Sequence, residues 1–246
     1  MIDLARYQQF VGTQAIIEFE HSADLAKAAE ALGPFIGSEF PGSLAPAGDP
    51  SAFSIRTKNA ALTITAQKAV IEAQYYGNHT KDYELCHGYL SRKMRALYRG
   101  ITEGMGRSAN FFALITETRA SFSGLSDLPV DWIRDRFLRF DSESDLVDLV
   151  VRIGTKRTDR YYVNFEVNAY QQYVFRPVGP PPAHGIVRLN ELDVDDFGVR
   201  VAIDVNTKQE SFRHVPTYSV QDLEAFLDIT RTIVLDGMPS LLSGGK

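Results

Sequence analysis

The chain has 246 residues, a net charge of −5 and one cysteine. Apolar residues make up 44% and charged residues 23%, which excludes a disordered chain. The acidic balance excludes a globally basic nucleic-acid binder. The lone cysteine excludes an intrachain disulfide and fits a reducing compartment.

The opening stretch MIDLARYQQF has an early acid, no long apolar core and no small-residue cleavage site, so it does not read as a secretory signal. No run approaches the ~18 apolar residues of a membrane helix. The expectation is a cytoplasmic protein that does not enter a membrane.

In chain order, residues 13–20 predict a strand, with Ile16, Ile17 and Phe19 as β-formers. Ser22 would cap a helix over 23–32, stopped by Gly33 and Pro34. Residues 33–50 hold four glycines and four prolines and read as a long loop, functional or mobile. Short strands follow near 52–57, 60–66 and 69–76. In the second, Leu62, Ile64 and Ala66 alternate with polar neighbours. A helix over 81–103 places Cys86, Leu90, Leu97 and Ile101 on one face, and Gly100, Gly104 and Gly106 would end it.

A strand over 111–122 leads to a helix over 129–140, capped by Ser126 or Asp127, with Pro129 in its first turn. Strands over 146–153 and 160–167 come next, the second running toward Phe175. Residues 179–182 form a stiff connector. Strands near 186–190, 198–205 and 209–213 precede a closing helix over 220–236. There Ser219 and Asp222 have capping-box spacing, and Leu223, Phe226, Leu227, Ile233 and Val234 face the core.

The order of elements repeats, which points to internal duplication. The fold expectation is α+β with two similar halves, 1–105 and 106–246. Each half would be an antiparallel sheet with a long amphipathic helix packed on it. Antiparallel α+β chains also repeat this order without duplication.

No complete catalytic set is legible. His79, Asp82, Cys86 and His87 are metal-ligand types within nine residues, but Cys86 falls on the core stripe and His87 about 100° away from it. The bland reading is a core cysteine, a surface histidine and a capping aspartate, with no metal. The run ELDVDD at 191–196 lacks the spacing of a calcium loop and reads as a charged turn. Serine-nucleophile elbows and phosphate-binding glycine loops are missing, and no cofactor is expected.

Two surfaces remain. On the strand over 161–170, Tyr162, Asn164, Glu166 and Asn168 share one face, opposite Val163, Phe165 and Val167. Such a polar ladder suits hydrogen-bonded binding, although open sheet faces are commonly polar. Arg92, Arg95 and Arg99, with Lys93, lie on the first long helix and offer an anion-binding patch.

The stretches VAIDVNTKQ and HVPTYSVQDLEAFLDITRTIVLDGM, with the strand YYVNFEVNAY, resemble the end of a sporadically distributed prokaryotic family of uncharacterised proteins of similar length. The resembling features are a final strand with Asp204 and Asn206, then a closing helix containing Phe226. The resemblance implies an accessory partner encoded near toxin–antitoxin or defence genes. The functional expectation is a protein-interaction module of antitoxin, immunity or defence type. A small-molecule site over Asn164, Glu166 and Asn168 is the alternative, and nucleic-acid binding through the Arg92–Arg99 helix a second one. The partner would be another protein, with homodimerisation through an exposed sheet edge also open.

Overall fold

The computed structural model describes residues 3–48, 51–125, 128–138, 148–157, 160–174, 192–207 and 215–242. The chain folds as α+β around one nine-stranded sheet. The strands are β1 (Gln8–Phe19), β2 (Ala45–Pro46), β3 (Phe53–Arg56), β4 (Ala60–Ile64), β5 (Lys68–Gln74), β6 (Ala109–Ser121), β7 (Val150–Lys156), β8 (Tyr161–Val174) and β9 (Asp193–Thr207). The helices are α1 (Leu25–Ile36), α2 (Tyr83–Arg99), α3 (Pro129–Phe137) and α4 (Val220–Leu242). The strand order is β2-β3-β4-β5-β1-β6-β9-β8-β7, and every neighbouring pair is antiparallel.

The sheets expected for the two halves are joined into one. β1 pairs with β6 from Gln8↔Ala120 to Phe19↔Ala109, so the sheet runs unbroken through the middle of the chain. The physical reason lies in β1 and β6 themselves. Each buries one face and has two edges to satisfy, and each finds its second partner in the other.

Alternation decides which side chains enter the core. In β1, Ala15, Ile17 and Phe19 are buried. Leu62 and Ile64 in β4, and Val199, Val201, Ile203 and Val205 in β9, lie on the same side. This face is covered by helices. Cys86, Leu90 and Leu97 from α2, with Ile101 just beyond it, meet Leu223, Phe226, Leu227, Ile233 and Val234 from α4 in one continuous core. The helices also hold each other. Arg95 pairs with Glu224 at 2.6 Å, Arg231 pairs with Glu84, and the Tyr98 hydroxyl donates to the Tyr218 carbonyl at 2.9 Å.

Helix ends show where local signals were overruled. Asp82 caps α2, accepting from the Glu84 and Leu85 amides. Ser219 and Asp222 form the expected capping box, with amide bonds of 2.9 and 3.3 Å. But α1 starts at Leu25, capped by Asp24, and runs through Pro34 to Ile36. Burial of Ile36 and Phe40 offsets the one helical hydrogen bond that a proline removes. For the same reason α4 continues through Pro239, burying Met238 and Leu242. α2 ends at Arg99 with Gly100 as its C-cap, and the chain goes on as one wide turn, Gly100–Gly104, where Cβ atoms would come within 2.6 Å of Leu32 and Ala31. These glycines let α1 lie close.

Other boundaries move in the same way. The expected turn at 191–196 is corrected, since Asp193–Asp196 belongs to β9, paired to the long β8. The second half of the 33–50 loop contributes β2. α3 ends at Phe137. The expected strands near 186–190 and 209–213, the connector at 179–182 and the cap at Ser126 or Asp127 lie outside the described residues. Among the described residues, no helix is long and apolar enough to cross a membrane.

Candidate functional site

The sheet's second face presents half-buried and exposed side chains, most of them polar. The register writes it out in rows. One runs Ala61–Glu72–Gln14–Ile115–Asp204–Asn164–Gly154. The next runs Gln74–Gly12–Glu117–Ala202–Glu166–Arg152. The row beyond places Arg119 opposite Arg200, and Arg200 opposite Asn168. Eight inter-strand steps of ~4.8 Å make the sheet about 38 Å wide.

Tyr162, Asn164, Glu166 and Asn168 all lie on this face. Val163 and Val167 point into the core, and Phe165 sits half-buried against Gly237. Glu166 belongs to a ladder of alternating charge. Arg119 meets Glu117 at 3.2 Å, Glu117 meets Arg200 at 2.9 Å, Arg200 meets Glu166 at 3.8 Å, and Glu166 meets Arg152 at 2.8 Å. Asn164 donates to Asp204 at 3.1 Å, as does Asn206. Tyr162 lies beside Asn206 across the strands.

At the centre of the face is a groove of about 850 Å³ over β5, β1, β6, β9 and β8, with Gln14, Glu72, Tyr76, Glu117, Arg119 and Arg200 among its lining. Reading one strand at a time could not find it, because its walls come from five strands. A bulge in β1 between Phe10 and Gly12 borders it, and at Gly12 a Cβ would lie 2.7 Å from the Ala73 carbonyl oxygen. A bulge of this kind sharpens local twist.

Beside the groove, Arg119 sits over the Tyr170 ring at 5.1 Å, and the Tyr170 hydroxyl donates to Asp196 at 2.6 Å. Burial opposes ionisation of Asp196. Hydrogen bonds from Ser121, Tyr170, Ser123 and the Phe197 amide outweigh it and hold the carboxyl below its usual pKa. Burial in turn pushes Tyr170 well above the ordinary phenol range. This corner is therefore a neutral phenol against a carboxylate. A second cavity of about 690 Å³, between α3 and the ends of β8 and β9, is mostly apolar and includes Leu128, Val194 and Phe197.

The other sequence candidates go elsewhere. Arg92, Arg95 and Arg99 are each paired, with Glu39 at 3.7 Å, Glu224 at 2.6 Å and Glu103 at 3.2 Å. Lys93 is buried, bonded to the Glu39 carbonyl and set over Phe40 and Tyr89. The expected cationic patch is thus largely spent holding α2 to its neighbours. Cys86 is fully buried, and burial pushes its thiol up to about 12, so it is a core group and not a thiolate. His87 is not the surface residue expected. It is half-buried between α2 and α4, where Nε2 donates to the Leu227 carbonyl at 3.0 Å. Burial lowers its pKa, which keeps the ring neutral. No group of three or more metal-ligand side chains exists among the described residues.

No family model matches the chain, and no curated protein matches it.

Proposed function

We propose that this protein is a binding module of the accessory kind, antitoxin-, immunity- or defence-like as the family resemblance implies, and that the open sheet face docks a protein partner. The observation that carries this reading is the asymmetry of the sheet. One face is sealed by helices, while the other presents rows of polar groups with half-buried Ile16, Val70 and Ile115 among them. An apolar patch ringed by polar groups is the usual anatomy of a protein interface.

A second reading is a small-molecule site in the groove. Its volume, about 850 Å³, falls within the range of ligand pockets. Nucleic acid is the least favoured partner, because Arg92, Arg95 and Arg99 already face carboxylates. A second copy of the chain is not favoured either. The long edge strand β7 carries Arg152 and Lys156, and charged edges resist self-pairing.

We further read the chain as two copies of one unit. In its support, each half runs strand, helix, meander and helix. The meander returns to its own first strand, β5 to β1 and β9 to β6.

The docking reading is tested with two matched charge reversals on exposed acids. Glu72 lies on the open face and Asp228 on α4. Capture from lysate of the native host should recover the same partner with wild type and Asp228→Arg. With Glu72→Arg recovery should fall about tenfold, the cost of roughly 1.4 kcal/mol at the interface. Loss with Asp228→Arg and retention with Glu72→Arg would place docking on the helical side.

A further inference from the structure

We propose that the Arg119–Arg200 pair in the groove is a carboxylate-binding site. The inference rests on the reading that the open face binds something, and it names the chemistry.

Three observations carry it. First, Arg119 and Arg200 stand directly opposite each other on β6 and β9. Like charges at that position weaken a sheet, so stability alone does not account for them. Second, their neutralisation is incomplete. Glu117 spends both oxygens bridging them, and Glu166 is shared with Arg152. The five-membered ladder therefore carries three cations and two anions. Third, guanidinium donors are left over. The Arg119 Nε–H is buried without a partner among the described residues. Its Nη1 reaches only Gln172, at 3.5 Å. Arg200 Nη1 lies 3.8 Å from Glu166, beyond hydrogen-bond reach.

A buried N–H with no acceptor is uncommon in a folded protein. Here it belongs to a group whose planar fork matches a carboxylate. Both arginines line the groove, and the amide side chains of Gln14, Gln74 and Gln172 and the exposed Tyr76 surround them. The site suits one negative charge better than two. Glu72 and Glu117 line the same groove and would repel a phosphate dianion more strongly than a carboxylate.

The carboxylate can come from a free organic acid or from an Asp or Glu side chain of a docked protein. The experiment separates these sources by titrating wild type with propionate, with inorganic phosphate and with a glutamate-rich peptide, followed by calorimetry. The expected result is saturable binding of propionate, the peptide or both, with little binding of phosphate. A preference for propionate assigns a free acid, and a preference for the peptide assigns a protein side chain. Arg200→Met should weaken binding about tenfold or more, as loss of a charged bidentate partner does. Arg200→Lys should weaken it less. Lys27→Met, which removes an exposed cation on α1, should bind like wild type. Circular dichroism of each variant checks that it is folded.

The proposal is overturned if phosphate binds best, if no carboxylate binds, or if Lys27→Met and Arg200→Met lose binding equally. Any of these results, alongside partner capture that still depends on Glu72, would sink the carboxylate site and leave the docking face intact.

Discussion

Phe112→Ala should lower stability by about 3–5 kcal/mol, the cost of emptying a phenylalanine from a closed core. Phe112 is fully buried on β6. Its ring centre lies 6.1 Å from Tyr98, 5.2 Å from Tyr218 and 5.6 Å from Phe226. It thus touches α2, α4 and the segment entering α4. Those elements come from both halves of the chain, so the cavity would open where the halves meet. For a chain of this size the loss corresponds to a fall of roughly 10 °C in Tm. Urea unfolding followed by circular dichroism and by Trp132 fluorescence should show one transition, shifted as a whole. Two transitions, only one of them moved, would mean that the halves fold separately.

The second large effect is at Gly198. The Hα that a Cβ would replace faces the backbone of β6. A methyl group there would overlap the Ala120 carbonyl oxygen and come within 3.0 Å of the Ala120 carbonyl carbon and 3.1 Å of Ser121 Cα. The obstruction is main chain in the middle of the sheet, so no side-chain rotation relieves it. Gly198→Ala should cost about 3 kcal/mol or more, at the upper end for overpacking. The control is Gly48→Ala, where nothing lies within 4 Å; that change should stay within about 0.5 kcal/mol, as surface changes do. Equal midpoints for the two variants in a urea titration would show that β6 and β9 separate more easily than the register implies.

These two sites also mark what could be read from sequence. Faces were legible wherever alternation was clean. Leu62 and Ile64 point inward as their alternation predicts, and so does the α4 stripe around Phe226. The shared outer face of Tyr162, Asn164, Glu166 and Asn168 followed from the same two-residue period. What alternation cannot encode is which strand lies beside which. Arg119 and Arg200 are 81 positions apart by subtraction and become opposite partners only through the β6–β9 register. The groove was invisible for that reason.

Local stop signals misled where burial outweighed them. Pro34 and Pro239 lie inside helices whose last turns bury Ile36 and Leu242. The acidic run before Phe197 looked like a turn. It is strand because the long partner β8 offers it backbone hydrogen bonds as far as Val174↔Asp193. The basic helix misled in a different sense. Its arginines are real, but the carboxylate partners of Arg92 and Arg95 come from the 37–40 segment and α4, which no reading of α2 alone contains; only the Arg99–Glu103 pair is local.

The proposal that the open sheet face, and not the helical one, receives a partner is tested by site-specific photo-crosslinking. A photoreactive residue is placed at exposed Gln74 on the open face in one protein, and at exposed Asp236 on α4 in another. Both are irradiated in the native host. Docking on the open face predicts a discrete higher-mass adduct from position 74 and none from position 236. An adduct from position 236 alone would contradict it.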